Sequence, residues 1–171
     1  MNRINYLNQK IPGDNMLEIG CGNKDHQRVA EDYNLRLDIQ DFGQNIVWNL
    51  EEGIPLPDNF CKSVYASNII EHLHPDKLVY VMNECWRVLN TGGKLWVIVP
   101  SYIRDTAYIP SHLIRFTEAT FKFFTGSTNN DYELRDLHSA INQTIKIWET
   151  VSLVTNDRGD IHWIASPCNK P

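Results

Sequence analysis

The sequence predicts an α/β fold, a mixed sheet packed against helices and closed by an antiparallel hairpin. Three observations carry this. Met16-Leu17-Glu18-Ile19 is a short apolar run that breaks on Gly20-Cys21-Gly22, the pattern of a buried strand feeding a tight turn. Downstream, strand-like runs alternate with helix-like ones, as they do in layered α/β domains. Near the end, two strand-like segments flank the turn-rich cluster Asn156-Asp157-Arg158-Gly159-Asp160.

Residues 1–14 form a polar lead-in closed by Pro12-Gly13-Asp14, and Met16–Ile19 is the first strand. Gly20 and Gly22 lack a Cβ and tolerate positive φ, so backbone there can lie directly against a ligand at the carboxyl edge of the sheet. Asp25–Asp32 is long enough for one or two helical turns only. Leu35–Ile39 alternates with period two and reads as the second strand, with Asp38 near its end. Ile46-Val47-Trp48 reads as a very short third strand. Gln40–Asn45 is too brief for a helical crossover, so an irregular connection is expected there.

Gly53, Pro55 and Pro57 mark Asn49–Asn59 as a loop, and Ser63–Ser67 as the strand that follows it. Pro75 suits the first turn of a helix and Asp76 its positive end. Leu78, Met82, Cys85 and Leu89 then share one helical face, and Gly92-Gly93 is expected to cap the helix. Leu95–Val99 is continuously apolar, the signature of a strand covered on both faces. Phe116–Phe124 is a further helix candidate stopped by Gly126, Ser127–Asp136 a polar surface loop, and Thr144–Val154 and Ile161–Ala165 the two arms of the hairpin.

A length of 171 residues predicts a single domain over 1–171. The net charge of −5 argues against broad nucleic-acid or acidic-membrane binding, and no apolar run reaches bilayer length. The N-terminal stretch lacks a signal-peptide core. The four cysteines, Cys21, Cys61, Cys85 and Cys168, form no CxxC pair, so a disulfide framework is not expected and a reducing cytoplasm is.

LEIGCGNK, the acidic Asp38, GIPLPDNF, SNIIEHL, the run NECWRVLNTGGKLWVIVP and the late HLIRFT follow one another from Met16 to about Thr117. Together they resemble the class I S-adenosylmethionine-dependent methyltransferases, in the compact branch with an EHL…RVL…GG signature. The resemblance implies a Rossmann-like fold, a mostly parallel sheet whose last strand is antiparallel. It implies S-adenosylmethionine as cofactor and transfer of its methyl to a heteroatom of a small-molecule or saccharide acceptor. Glu18, Gly20, Cys21 and Gly22 then fall where the family holds the methionine part of the cofactor. Asp38 falls where a carboxylate accepts hydrogen bonds from the ribose hydroxyls, a task suited to its several lone pairs. Asn49 and Leu50 occupy the adenine-contacting region, and Asn68 the edge beside the methyl end. His112 and Tyr108, after the fifth strand, are the expected acceptor-side residues, with His112 as proton acceptor.

The chain departs from the family pattern at Lys24, which replaces the third glycine, and at Lys62, which replaces an acid before the fourth strand. These departures keep a second reading open, a non-catalytic module that binds the cofactor or a partner. An aminopropyl-transferring relative is a further alternative, without its acidic polyamine-binding pattern. The full GxGxxG dinucleotide fingerprint fails, since Asp25 stands at its third glycine. Glu71-His72-Leu73-His74 with Asp76 lacks any standard zinc spacing, so no metal is expected. His72 is expected to pack at a helix start near the cofactor pocket, and Trp86 and Arg87 to serve packing and an ion pair.

Overall fold

In a computed structural model of the protein the described residues are 15–23, 33–125 and 144–170. The helix expected over Asp25–Asp32, the loop over Ser127–Asp136, the stop at Gly126 and the position of Lys24 lie outside them. Seven strands form one sheet: β1 (Asn15–Ile19), β2 (Leu35–Asp38), β3 (Ile46–Val47), β4 (Cys61–Ser67), β5 (Leu89–Pro100), β6 (Trp148–Thr155) and β7 (Asp160–Pro167). Their order is β3-β2-β1-β4-β5-β7-β6. All neighbours up to β5 run parallel, and β7 runs antiparallel to both β5 and β6. The chain is thus Rossmann-like, with the C-terminal hairpin adding the one reversed strand. From β1 it winds outward to β2 and β3, then returns to β4 on β1's other side. That reversal opens a crevice at the carboxyl ends of β1 and β4.

Leu17, Ile19, Leu35, Leu37, Val64, Leu95, Val97 and Val99 are fully buried, as the apolar runs require of strands covered on both faces. β3 pairs parallel with β2 through Leu37–Ile46 and Asp38–Val47. Its connection is the irregular one expected, held by Asp41, whose carboxylate accepts from the Gly43 amide, and by Gln44, which donates to the Gln40 carbonyl. Pro75–Lys77 forms a 3₁₀ turn that leads into α1 (Leu78–Val88). Met82, Cys85 and Leu89 are buried on the predicted face, joined by Val81 and Val88.

One expectation fails at the end of α1. Gly92-Gly93 does not cap the helix. Leu89 closes it, donating its amide to the Cys85 carbonyl, and already pairs with Cys61 of β4. The next pair is Ser63–Lys94, so four residues of β5 bulge where β4 spends one. Gly92, at φ +78, supplies the left-handed turn this bulge needs.

At the far edge, α2 (Glu118–Phe123) packs with the hairpin. Phe121 lies 4.9 Å from the Trp163 ring, and Trp148 lies 5.9 Å from it on the strand opposite. The hairpin turn is an Asn turn, with the Asn156 side-chain oxygen accepting from the Arg158 and Asp160 amides. It is tied to the end of β5 by Ser101, which donates to the Gly159 carbonyl, and by the Arg104–Asp160 ion pair.

The least ordinary feature of the sheet interior is a charge. Glu18 of β1 and Arg36 of β2 are register partners, and both are buried. Arg36 Nε donates to Glu18 Oε2 at 2.9 Å, and its terminal nitrogen reaches the Cys21 carbonyl at 3.3 Å. Removing one member of such a pair strands the other in a dry interior. Arg36→Met is therefore expected to lower the unfolding free energy by about 3–5 kcal/mol in urea titrations. Glu18→Met/Arg36→Met is expected to recover most of that, because an apolar pair leaves no charge behind. A loss below about 1 kcal/mol in the single variant would contradict the role given to the pair.

Candidate functional site

At the crevice lies a cavity of about 270 Å³, bounded by Gly20, Leu37–Ile39, Trp48–Glu51, Ile69, His72 and Leu73. Its first wall is the glycine turn after β1. Gly20 has φ +65 and Gly22 φ +53, backbone that L side chains rarely adopt. A Cβ at Gly20 would run into the Ile69 side chain, whereas one at Gly22 would meet nothing within 4 Å among the described residues. The turn is pinned by the Cys21 amide, which donates to the Leu37 carbonyl at 3.1 Å, and by the Gly22 amide, which donates to Asp38 Oδ2 at 2.8 Å.

Asp38 ends β2 half-buried at the rim. Its second oxygen accepts from the Gln40 amide at 3.0 Å. A carboxylate has about four lone-pair sites, so two bonds leave acceptor capacity on the same group. Beside it, Ile39 is 63% exposed and Trp48 39%, large apolar surfaces that the protein itself does not cover. Leu50 forms a buried part of the wall, and the Asn49 side-chain oxygen caps the 3₁₀ turn Leu50–Glu52 by accepting from the Glu51 amide. Glu51 in turn accepts from the His74 amide at 2.7 Å and ties this wall to the segment after β4.

The remaining expected cofactor residues stand back from the cavity. The carboxylate of Glu18 is spent on Arg36. Cys21 is fully buried, its thiol pushed up to about 11 by burial, and both its backbone groups are hydrogen-bonded within the protein. Asn68 takes a left-handed conformation, φ 51, that ends β4; its amide donates to the Ile98 carbonyl and its side chain to Ser67 Oγ. Exposed, it does not bound the cavity.

The segment that carries the expected acceptor-side residues is held by one backbone group. The Glu71 carbonyl accepts from both Leu113 and Ile114 amides, at 2.8 and 3.1 Å. This clamps the segment after β5 onto the 3₁₀ turn Ile70–His72. His112 consequently packs edge-on against His72, ring centroids 4.5 Å apart. His72 bounds the cavity, and its Nδ1 faces the Ser111 carbonyl at 2.9 Å. Burial, and then the charge of His72, hold His112 below the usual histidine range. Tyr108 is 55% exposed, does not bound the cavity, and carries the Arg115 guanidinium over its ring at 4.7 Å. Beneath the two histidines, the Glu71 side chain is fully buried, and burial pushes its carboxyl up to about 7.

Several of these residues carried no signal in sequence. Ile39 read as the last residue of a strand and Trp48 as part of another. Ile69 fell inside a short apolar run. An exposed apolar residue immediately after a strand-end acid is the one feature that could have singled out Ile39.

Comparison with known proteins agrees with this arrangement. Residues 17–97 match the family described as "Methyltransferase domain". Comparison with curated protein sequences gives no match. Among solved structures, a SAM-dependent methyltransferase from Archaeoglobus fulgidus is 17% identical at a TM-score of 0.60, over 94% of this chain and 89% of that one. The N-methyltransferase NodS from Bradyrhizobium japonicum is 11% identical at 0.59, over 96% and 94%. The 1,6-didemethyltoxoflavin-N1-methyltransferase of Burkholderia thailandensis, solved with 1,6-didemethyltoxoflavin and S-adenosylhomocysteine, is 15% identical at 0.57, over 91% and 72%. The structural likeness is one of fold. Residues 17–97 are thus similar to the methyltransferase-domain family, and the chain has the Rossmann-like fold of the S-adenosylmethionine-dependent methyltransferases it is compared with.

Proposed function

We propose that the protein, acting as one domain over residues 1–171, transfers the methyl group of S-adenosylmethionine to a heteroatom of a small-molecule acceptor, saccharides included. The observation that carries this is the Asp38 carboxylate at the cavity rim, held by the Gly22 and Gln40 amides with acceptor capacity to spare. That group suits a pair of adjacent ribose hydroxyls. Ile39, Trp48 and Leu50 offer apolar surface for a flat base, and among the described residues no atom stands over Gly22 to keep a ligand from its backbone. These residues fit the cofactor.

When bound, S-adenosylmethionine supplies a methyl group already electrophilic on a positively charged sulfur. The protein's task is therefore orientation, water exclusion and removal of a proton from the acceptor. His112, against His72 at the cavity wall, is the group assigned to take that proton, since its lowered proton affinity keeps it neutral near pH 7. The bound 1,6-didemethyltoxoflavin in the Burkholderia enzyme supports an acceptor of small-molecule size. One observation favours the non-catalytic reading. Ile69 closes over Gly20, where the methionine part would otherwise lie against the turn.

Calorimetry with the cofactor and its demethylated product tests the binding half. Asp38→Asn keeps an acceptor for the Gly22 amide but loses the charge, and is expected to weaken binding by about 1.5–3 kcal/mol. Unchanged affinity in a folded variant would remove Asp38 from the site.

With an acceptor in hand, His112→Ala is expected to lower turnover about a hundredfold or more, while cofactor affinity stays within about threefold. Equal losses of cofactor binding and turnover would assign His112 to the cofactor pocket instead. Tight binding of both cofactor forms without transfer to any acceptor screened would establish the module in place of the enzyme.

A further inference from the structure

We propose that Glu71, His72 and His112 form a binding site for a divalent transition-metal ion of the zinc class, at the acceptor end of the cavity. One carboxylate oxygen and one nitrogen from each imidazole lie within 4.8 Å of one another. Zinc binds such atoms at about 2.0–2.2 Å, so small side-chain rotations bring all three onto one ion.

Three independent features point into this cluster. The Glu71 side chain is fully buried, and neither of its oxygens has a hydrogen-bond partner among the described residues. Beyond weak help from its own backbone amide, the carboxylate is unserved, and such burial costs on the order of a lost charged hydrogen bond or more. A cation is the partner that would satisfy it. His112 Nδ1 is likewise buried and without a partner among the described residues, so it has a lone pair to give. His72 has its Nδ1 against the Ser111 carbonyl. A carbonyl only accepts, so that nitrogen carries the proton and Nε2 is left as a ligand atom. A ligating histidine anchored by a carbonyl on its other nitrogen is the usual outer-shell arrangement of a metal site.

The scaffold is rigid where it matters. Glu71 and His72 sit on one 3₁₀ turn, and two hydrogen bonds from Leu113 and Ile114 to the Glu71 carbonyl hold the His112 segment against it. Two imidazoles and one carboxylate favour zinc or a neighbouring transition metal over magnesium or calcium, which prefer all-oxygen shells. Three protein ligands leave a fourth position open, as in catalytic zinc sites. His72 bounds the cavity, so that position faces the space where an acceptor would lie. A hydroxyl or amine held there would lose its proton at lower pH, and His112 would serve as a ligand in place of a base. Ion binding stands without the methyl-transfer reading; only this role for the ion rests on it.

Cobalt(II) is the probe, because its visible absorption reports low-coordinate nitrogen and oxygen ligation. The full chain, stripped with chelator, is titrated with Co²⁺ and the ion then displaced by Zn²⁺. The expected result is one equivalent bound with a tetrahedral-type spectrum, released stoichiometrically by Zn²⁺. His112→Ala, His72→Ala and Glu71→Gln are each expected to weaken binding about a hundredfold or more, with circular dichroism unchanged. The two histidine variants keep the test valid should Glu71→Gln not fold. A wild-type chain that stays colourless, or variants that all bind as wild type does, would overturn the site. Cofactor affinity is measured on the same samples. Its absence would strike the methyl-transfer reading and leave the ion site standing, whereas bound cofactor with no cobalt spectrum would do the reverse.

Discussion

The buried pair of Glu18 and Arg36 is the contact on which the crevice depends. It joins β1 to β2 at register partners, and Arg36 does more than neutralise Glu18. Its terminal nitrogen holds the Cys21 carbonyl and its amide is accepted by the Asn45 side chain. One residue therefore links the first strand and the glycine turn through its side chain, and the irregular path to β3 through its backbone amide. With the turn held in place, the Gly22 amide meets Asp38, and the carboxylate is oriented at the rim. Such a pair adds little net stability against an apolar substitute, since desolvation offsets its attraction. Its value is geometric: the atoms beside the ligand space have one arrangement rather than several. It also means that Glu18 acts on the site through the turn, with its charge already satisfied in the sheet.

Much of this architecture was legible because parallel central strands impose continuous apolar runs and hairpins impose turn chemistry. Leu95–Val99 and the Asn156–Asp160 cluster were read for those reasons. Arg36 was not read, because Leu35-Arg36-Leu37 alternates as a half-exposed strand would, and β2 is covered on both faces. A charge inside such a strand has to be paired, and its partner lies on a different segment. The two glycines after α1 misled for a related reason. Left-handed backbone serves helix caps and strand bulges equally, and only the pairing of Leu89 with Cys61 distinguishes them. Asp38, Asn49 and Leu50, which bound the cavity, are named by resemblance alone. The meeting of His72 and His112 depends on hydrogen bonds to one carbonyl, which no local pattern encodes. The same contact explains why no metal spacing was seen: His112, the third residue of the proposed ion site, comes from a segment beyond the next strand.

The short turn after β4 joins the two halves of the crevice. Successive residues of a 3₁₀ turn project about 120° apart, so neighbours in sequence face different surroundings. Ile69 leans over Gly20 and forms part of the cavity floor. Ile70 is buried in the core, and Glu71 turns its side chain inward while its carbonyl clamps the segment carrying His112. His72 faces the cavity. Four consecutive residues thus set the cavity floor, the core anchor, the clamp on the segment carrying His112 and the cavity wall. A rotation of this turn that lifted Ile69 off Gly20 would also move His72, so the cavity floor at Gly20 and its wall at His72 change together. The two walls of the cavity, at Gly20 and at His72, are mechanically one element.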